Sequence, residues 1–167
     1  VDSIRDRLKA NPLPLQLPVG AESEFAGVID LIENKQIIWD SETLGASFHY
    51  EDVPSDRADE VDAAREAIFD VASEVDETVM EKYVGGEEVT AEEIRAAVRK
   101  ACVELKAFPV LCGSAFKNKG VQPLMDAVCN YLPSPLDVPP MEGTRPAGDD
   151  TIDVLPDPSA PFGALAF

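Results

Sequence analysis

The chain has 167 residues, 45% of them hydrophobic and 28% charged, with 32 acidic against 14 basic side chains and a formal net charge of -18. That length builds one ordinary core, or one compact unit with parts of its neighbours, and no apolar run approaches the roughly 20 residues of a membrane-spanning helix. So large an acidic excess argues against nucleic acid as the principal partner, because phosphate binding draws on Lys and Arg to release counterions, and favours a basic protein surface instead.

The opening "VDSIRDRLKANP" reads as the last turns of a helix entered midway, with no initiator Met and no basic-then-apolar signal pattern, so the expectation is a fragment. In "LPLQLPVG", Leu13, Leu15, Leu17 and Val19 alternate as in a strand, which Pro14 and Pro18 push to a sheet edge because neither can donate to a ladder. "FAGVIDLI" and "KQIIW" around Glu33-Asn34-Lys35 predict an antiparallel hairpin, and "GASFHY" a further strand. Over residues 55–75 the period becomes helical, with Ala58, Val61, Arg65, Ile68, Val71 and Val75 on one side. Asp59, Asp62, Glu66 and Asp70 follow the other side at spacings of three or four, a single acidic stripe interrupted by Ala63.

A short helix is expected over 76–83, stopped by Gly85-Gly86. Thr90 and Glu93 have the spacing of a capping box, and Ile94, Ala97, Val98, Ala101 and Leu105 give the following helix its buried face. "AFPVLC" reads as a strand and "VQPLMDAVCNYL" as a helix with Val121, Leu124, Met125, Val128 and Leu132 inward; Pro123 is tolerated in the first turn. "PSPLDVPP" predicts a stiff, extended linker, after which "TIDVLPDPSAPFGALAF" offers two β-like pieces of a further domain. Cys102, Cys112 and Cys129 lack CxxC spacing and a neighbouring His, and are expected as buried thiols rather than metal ligands. His49, on a strand-like stretch, is expected as a surface or packing residue.

"PVLCGSAFKNKGVQ", residues 109–122, reads on its own either as a plain strand, Gly-Ser turn and helix, as found throughout α/β proteins, or as a nucleotide contact. An apolar strand ends in Gly113, Ser114 and Ala115, small enough for backbone amides to meet the edge of a purine. A fixed amide donor accepts a carbonyl there and is left unpaired by an amino group, a penalty of about 1–3 kcal/mol when buried, which prefers guanine to adenine. Phe116 adds an apolar surface beside the base. Lys117 and Lys119 are anomalous, since cations near a helix N-terminus are disfavoured; they are solvated or they meet an anion.

"PVLCGSAFKNKGVQPLMDAV", "YLPSPLDVPP", "LPLQLPVGAESEF", "VIDLI", "MEKYVGGEEVTAEEIRAAVRKA" and "PFGALAF" together closely resemble elongation factor G, the bacterial and organellar translational GTPase family that drives ribosomal translocation. The resemblance covers nearly the whole chain. It implies an α/β fold: the C-terminal part of a P-loop GTPase domain with an inserted α+β subdomain, a linker and the first strand of a β-barrel domain. Residues 1–12 would end a helix of the GTPase domain and 13–106 form the inserted G-prime subdomain. Residues 107–132 would supply the last strand, guanine loop and helix, 133–150 the linker, and 151–167 the start of the barrel.

By the same resemblance, backbone amides of Ser114 and Ala115 contact the guanine of GTP or GDP with Phe116 beside it, and the acidic helix carrying Asp59, Asp62, Glu66 and Asp70 meets the ribosomal stalk protein. The sequence holds no GxxxxGK[ST] phosphate loop, no NKxD and no DxxG, so the parent would be a magnesium-dependent GTPase while this chain alone is inactive and binds no cofactor tightly. Its place would be the cytoplasm, or an organellar matrix or stroma. A ribosomal protection GTPase and a free-standing acidic interaction module are the alternatives.

Overall fold

The alternating run "LPLQLPVG" is divided between two sheets. In the computed structural model, which describes residues 1–40, 45–144, 150–160 and 162, the chain leaves a helical turn at Ile4–Leu8 and enters strand β1 (Pro12–Pro14). This strand pairs in parallel with β6 (Phe108–Val110), Leu13 lying opposite Pro109. At Leu15, whose amide donates to the Val110 carbonyl at 2.9 Å, the path changes sheets. Strand β2 (Gln16–Val19) then forms one edge of an antiparallel sheet of order β2-β3-β4-β5, where Pro18 costs no shared ladder bond.

Strands β3 (Gly27–Asp30) and β4 (Lys35–Trp39) form the expected hairpin, and β5 (Phe48–Asp52) extends it. Asp30 closes the turn, its Oδ1 accepting from the amides of Ile32 and Glu33 at 2.9 and 3.0 Å. Asn34 takes the left-handed conformation there, which its short side chain tolerates. Phe25, Val28, Ile37 and Trp39 build a small core on one side of this sheet.

Three helices cover the rest. Helix α1 (Ala58–Val75) buries Val61, Ile68, Ala72 and Val75. The Asp76 carboxylate caps α2 (Glu77–Gly85), which Gly86 ends at φ +70°. Helix α3 (Ala91–Val103) buries Ile94, Ala97, Val98 and Ala101 against Leu13, Leu15, Ile29 and Leu31 in the main core. Leu105 does not join this face: the helix has ended, the backbone is left-handed at φ +58°, and the side chain is 72% exposed.

The capping box of α3 forms as the spacing predicts, and it makes the acid end of the stability curve testable. Glu93 accepts from Lys82 Nζ at 2.5 Å and from the Thr90 amide and hydroxyl, each at 2.9 Å. The lysine first, then the threonine, hold its carboxyl down at about 2, against 4.5 ordinarily. A carboxyl depressed by folding stabilises the native state fully above its unfolded value and loses that effect as pH falls through the native one. Glu93→Gln is therefore expected to flatten the urea midpoint's dependence on pH between about 4.5 and 2. An unchanged slope would show that the network contributes nothing to folding.

Helix α4 (Val121–Tyr131) turns the opposite way from the sequence expectation. Ala127 and Tyr131 are its buried residues, whereas Val121, Leu124, Met125, Val128 and the following Leu132 are exposed, Met125 by 62%. Its contacts run to α3, where small Ala127 permits close approach, and the stronger apolar stripe has no cover among the described residues. The same rotation exposes Cys129, expected as buried; Cys102 and Cys112 are half-buried, and all three thiols are free. Burial pushes the Cys102 thiol up to about 11 and raises Cys112 as well, so neither is activated.

Residues Val1–Leu132 form one compact unit and Pro133–Phe167 a second. The second opens with a turn, the Asp137 amide donating to the Ser134 carbonyl and Asp137 Oδ2 accepting from the Ser134 amide. A carboxylate that caps its own turn thus bends the segment expected to be extended. Strand β7 (Met141–Thr144), within the expected linker, pairs antiparallel with β8 (Thr151–Val154). The second β-like piece, "PFGALAF", lies almost wholly outside the described residues. The chain is thus mixed α/β, and among the described residues no helix is long and apolar enough to cross a membrane.

Candidate functional site

After β6, the run from Gly113 to Gly120 folds into a tight hairpin. The Ser114 amide donates to the Lys119 carbonyl at 2.9 Å, the Lys119 amide returns to Ser114 at 3.1 Å, and the Asn118 amide donates to Ala115 at 3.1 Å. Gly120 then enters α4 at φ +89°, where a Cβ would stand 2.8 Å from the Cys112 carbonyl oxygen and 3.0 Å from the Gly113 Cα. Glycine is required at this crossing on both counts. Gln16, almost wholly buried, accepts from the Cys112 amide at 3.1 Å and fastens the start of the loop to β2.

A groove of about 250 Å³ runs along the hairpin between Gly113, Ser114, Ala115, Gly120, Val121 and Leu124. Ser114 and Ala115 are thus brought together, but their amides differ. The Ser114 N–H is committed to the hairpin, whereas the Ala115 N–H has no hydrogen-bond partner among the described residues. Phe116 is set apart: its side chain is fully exposed and borders a different depression, shared with Ser23, Phe25, Asp40 and Lys117.

Among the described residues, both lysines are held by backbone carbonyls and neither meets a side-chain anion. Lys117 Nζ donates to the carbonyls of Glu22 and Ser23 at 3.2 and 2.5 Å, and Lys119 Nζ, buried, to Phe25 at 3.3 Å. These carbonyls lie along and just beyond the single 3-10 turn Glu22–Glu24, the end of a helical segment where cations are favoured. Gln122 adds a second link, accepting from Trp39 Nε1 at 3.3 Å and donating to the Gly45 carbonyl at 3.0 Å. Sequence reasoning missed Gly45, Gln122 and the 22–25 carbonyls. Backbone acceptors leave no side-chain signature, and the misplaced lysines were the one sign that acceptors were near.

Asp59, Asp62, Glu66 and Asp70 are all exposed along α1, and none forms an ion pair among the described residues. Arg65, between them in sequence, turns inward and donates to the carbonyls of Leu31 and Ile32. Burial lowers its pKa despite the nearby Asp62. The stripe therefore keeps an outward negative field.

His49 sits exposed on β5, 3.0 Å from a Glu51 carboxylate oxygen and 3.5 Å from one of Asp40. A further cavity of about 240 Å³ lies beside Asp30, Glu33, Arg95 and Tyr131. Three of its polar groups serve the fold: Asp30 closes the β3–β4 turn and Arg95 pairs with Glu33, while burial, with Asp30 nearby, pushes the Tyr131 phenol up to about 12. No group of three or more His, Cys, Asp or Glu among the described residues is placed to hold a metal.

No family model matches the chain. Its structure is similar to the crystal structure of ttk003000868 from Thermus thermophilus, with 29% sequence identity and a TM-score of 0.67 over 83% of this chain. The chain spans 21% of the length of that protein.

Proposed function

We propose that this chain is part of a ribosome-dependent translational GTPase of the elongation factor G kind, in which the 113–120 loop reads guanine and the acidic helix α1 docks on the ribosomal stalk protein. The observation that carries the proposal is the Ala115 amide, which has no hydrogen-bond partner among the described residues and belongs to a loop that lines a groove together with Gly113, Ser114 and Gly120. A purine carbonyl is the acceptor that such a donor fits.

The packing of the loop's surroundings supports the same reading. Parallel strands are found in sheets covered on both faces, yet among the described residues β1 and β6 form a sheet of two, and the apolar stripe of α4 has no cover. More strands of a parallel sheet would satisfy both. The groove is also smaller than the roughly 300–1,000 Å³ of complete ligand pockets, as suits one wall of a site. It carries no carboxylate, so we assign magnesium and the phosphates to residues outside this chain, which alone does not hydrolyse GTP.

The experiment is a titration of the complete product of the reading frame with GDP and ADP. GDP is expected to bind more tightly, and Ala115→Val to weaken it by about ten- to hundredfold, the loss of one buried hydrogen bond with its donor left unpaired. Equal affinities for the two nucleotides would end the nucleotide reading. In the same protein, reversing Asp59, Asp62 and Glu66 to Lys is expected to weaken stalk-protein binding and flatten its salt dependence. Unchanged binding would remove that face from the proposal.

A further inference from the structure

We infer that Lys119, assisted by Lys117, is a positioning residue that clamps the 114–119 hairpin to the turn at residues 22–25, so that the antiparallel sheet sets the direction of the Ala115 amide. The clamp stands on geometry alone; its bearing on nucleotide rests on the reading proposed above.

A six-residue hairpin held by three backbone bonds is marginal by itself, and an isolated hairpin is at best marginally stable in water. Here it is gripped from the side. Lys119 is a buried residue, 7% exposed, and a buried charge must be hydrogen-bonded to be tolerated. Its bond to the Phe25 carbonyl reaches across to the segment joining β2 and β3, as do the bonds of Lys117 to Glu22 and Ser23. On the other flank, the Gly45 backbone presses on Asn118, and Gln122 ties the first turn of α4 to Trp39 and Gly45. Every one of these partners belongs to the β2–β5 sheet or its connections. A displacement of that sheet therefore reaches the hairpin directly, without passing through the helical core.

The test is amide hydrogen exchange, read by NMR on the 167-residue chain. Lys119→Met keeps the aliphatic stem and removes the donor. Exchange at Ser114 and Asn118 is expected to rise by about tenfold or more, with Ile29 and Val98 unchanged and with Lys119→Arg restoring protection. Lys117→Met, at a half-exposed site, gives a smaller rise at the same amides and covers the case in which Lys119→Met fails to fold. Unchanged exchange at the hairpin overturns the clamp, as does an equal rise everywhere, which would make Lys119 a general stability residue.

In the complete protein, Lys119→Met is further expected to reduce the preference for GDP over ADP. Loosened exchange in a protein that never distinguished the two nucleotides would keep the clamp and discard the nucleotide reading.

Discussion

Trp39→Ala is expected to destabilise the chain by about 3–5 kcal/mol, the range for truncating a large buried aromatic. Trp39 ends β4 with 2% of its surface exposed, tilted against Phe48 at 5.9 Å between ring centroids and packed with Phe25, Val28 and Ile37. This core is small, so few neighbours can close the hole. The indole N–H is also the link from the sheet to Gln122 and the start of α4. Trp39→Phe keeps much of the packing and loses the donor, at an expected cost nearer 1 kcal/mol from the hydrogen bond. Urea unfolding followed by far-UV circular dichroism measures both, since the protein's one tryptophan would be gone as a fluorescent probe. A loss under about 1 kcal/mol for Trp39→Ala would mean that the sheet's core collapses around the gap.

Gly45→Val is expected to cost about 2–4 kcal/mol, from left-handed backbone strain and steric overlap together. Gly45 has φ +83°, and a Cβ built there lies 2.0 Å from the Asn118 carbonyl oxygen and 2.7 Å from its carbon. Both atoms belong to backbone, so the overlap is relieved only by moving the hairpin. Gly86 separates the two contributions: it is also left-handed, at φ +70°, but a Cβ there meets nothing within 4 Å. Gly86→Val should therefore lose only about 1–2 kcal/mol of backbone preference. Equal losses at the two sites would show that the Gly45–Asn118 approach is unimportant.

The elements of this chain are legible wherever periodicity and local chemistry agree. Asn34 turning a hairpin, Asp76 and Thr90 capping helices and Gly86 ending one are all settled within a few residues of sequence. Failures occur where a distant partner decides. Leu13 and Leu17 share one alternating pattern, yet β6 and β3 draw them into different sheets. The face of α4 follows its contact with α3 through Ala127 and Tyr131, not the larger stripe that periodicity marks.

At the candidate site, the small residues of the loop announce room for a ligand. The commitment of Ser114 to the hairpin and the separation of Phe116 depend on a turn whose geometry local sequence does not specify. The acidic stripe was readable because exposure and charge coincide on one helix. Arg65 was placed on the correct side, but its targets, the carbonyls of Leu31 and Ile32, are again backbone.

Because β1 and β6 are direct neighbours, everything between them is one long detour from a strand back to its own flank. A parallel pair needs a connection of only about a dozen residues, so the greater part of this excursion is surplus to sheet geometry. Its length can therefore change at little entropic cost while the register of Leu13 opposite Pro109 stays as it is.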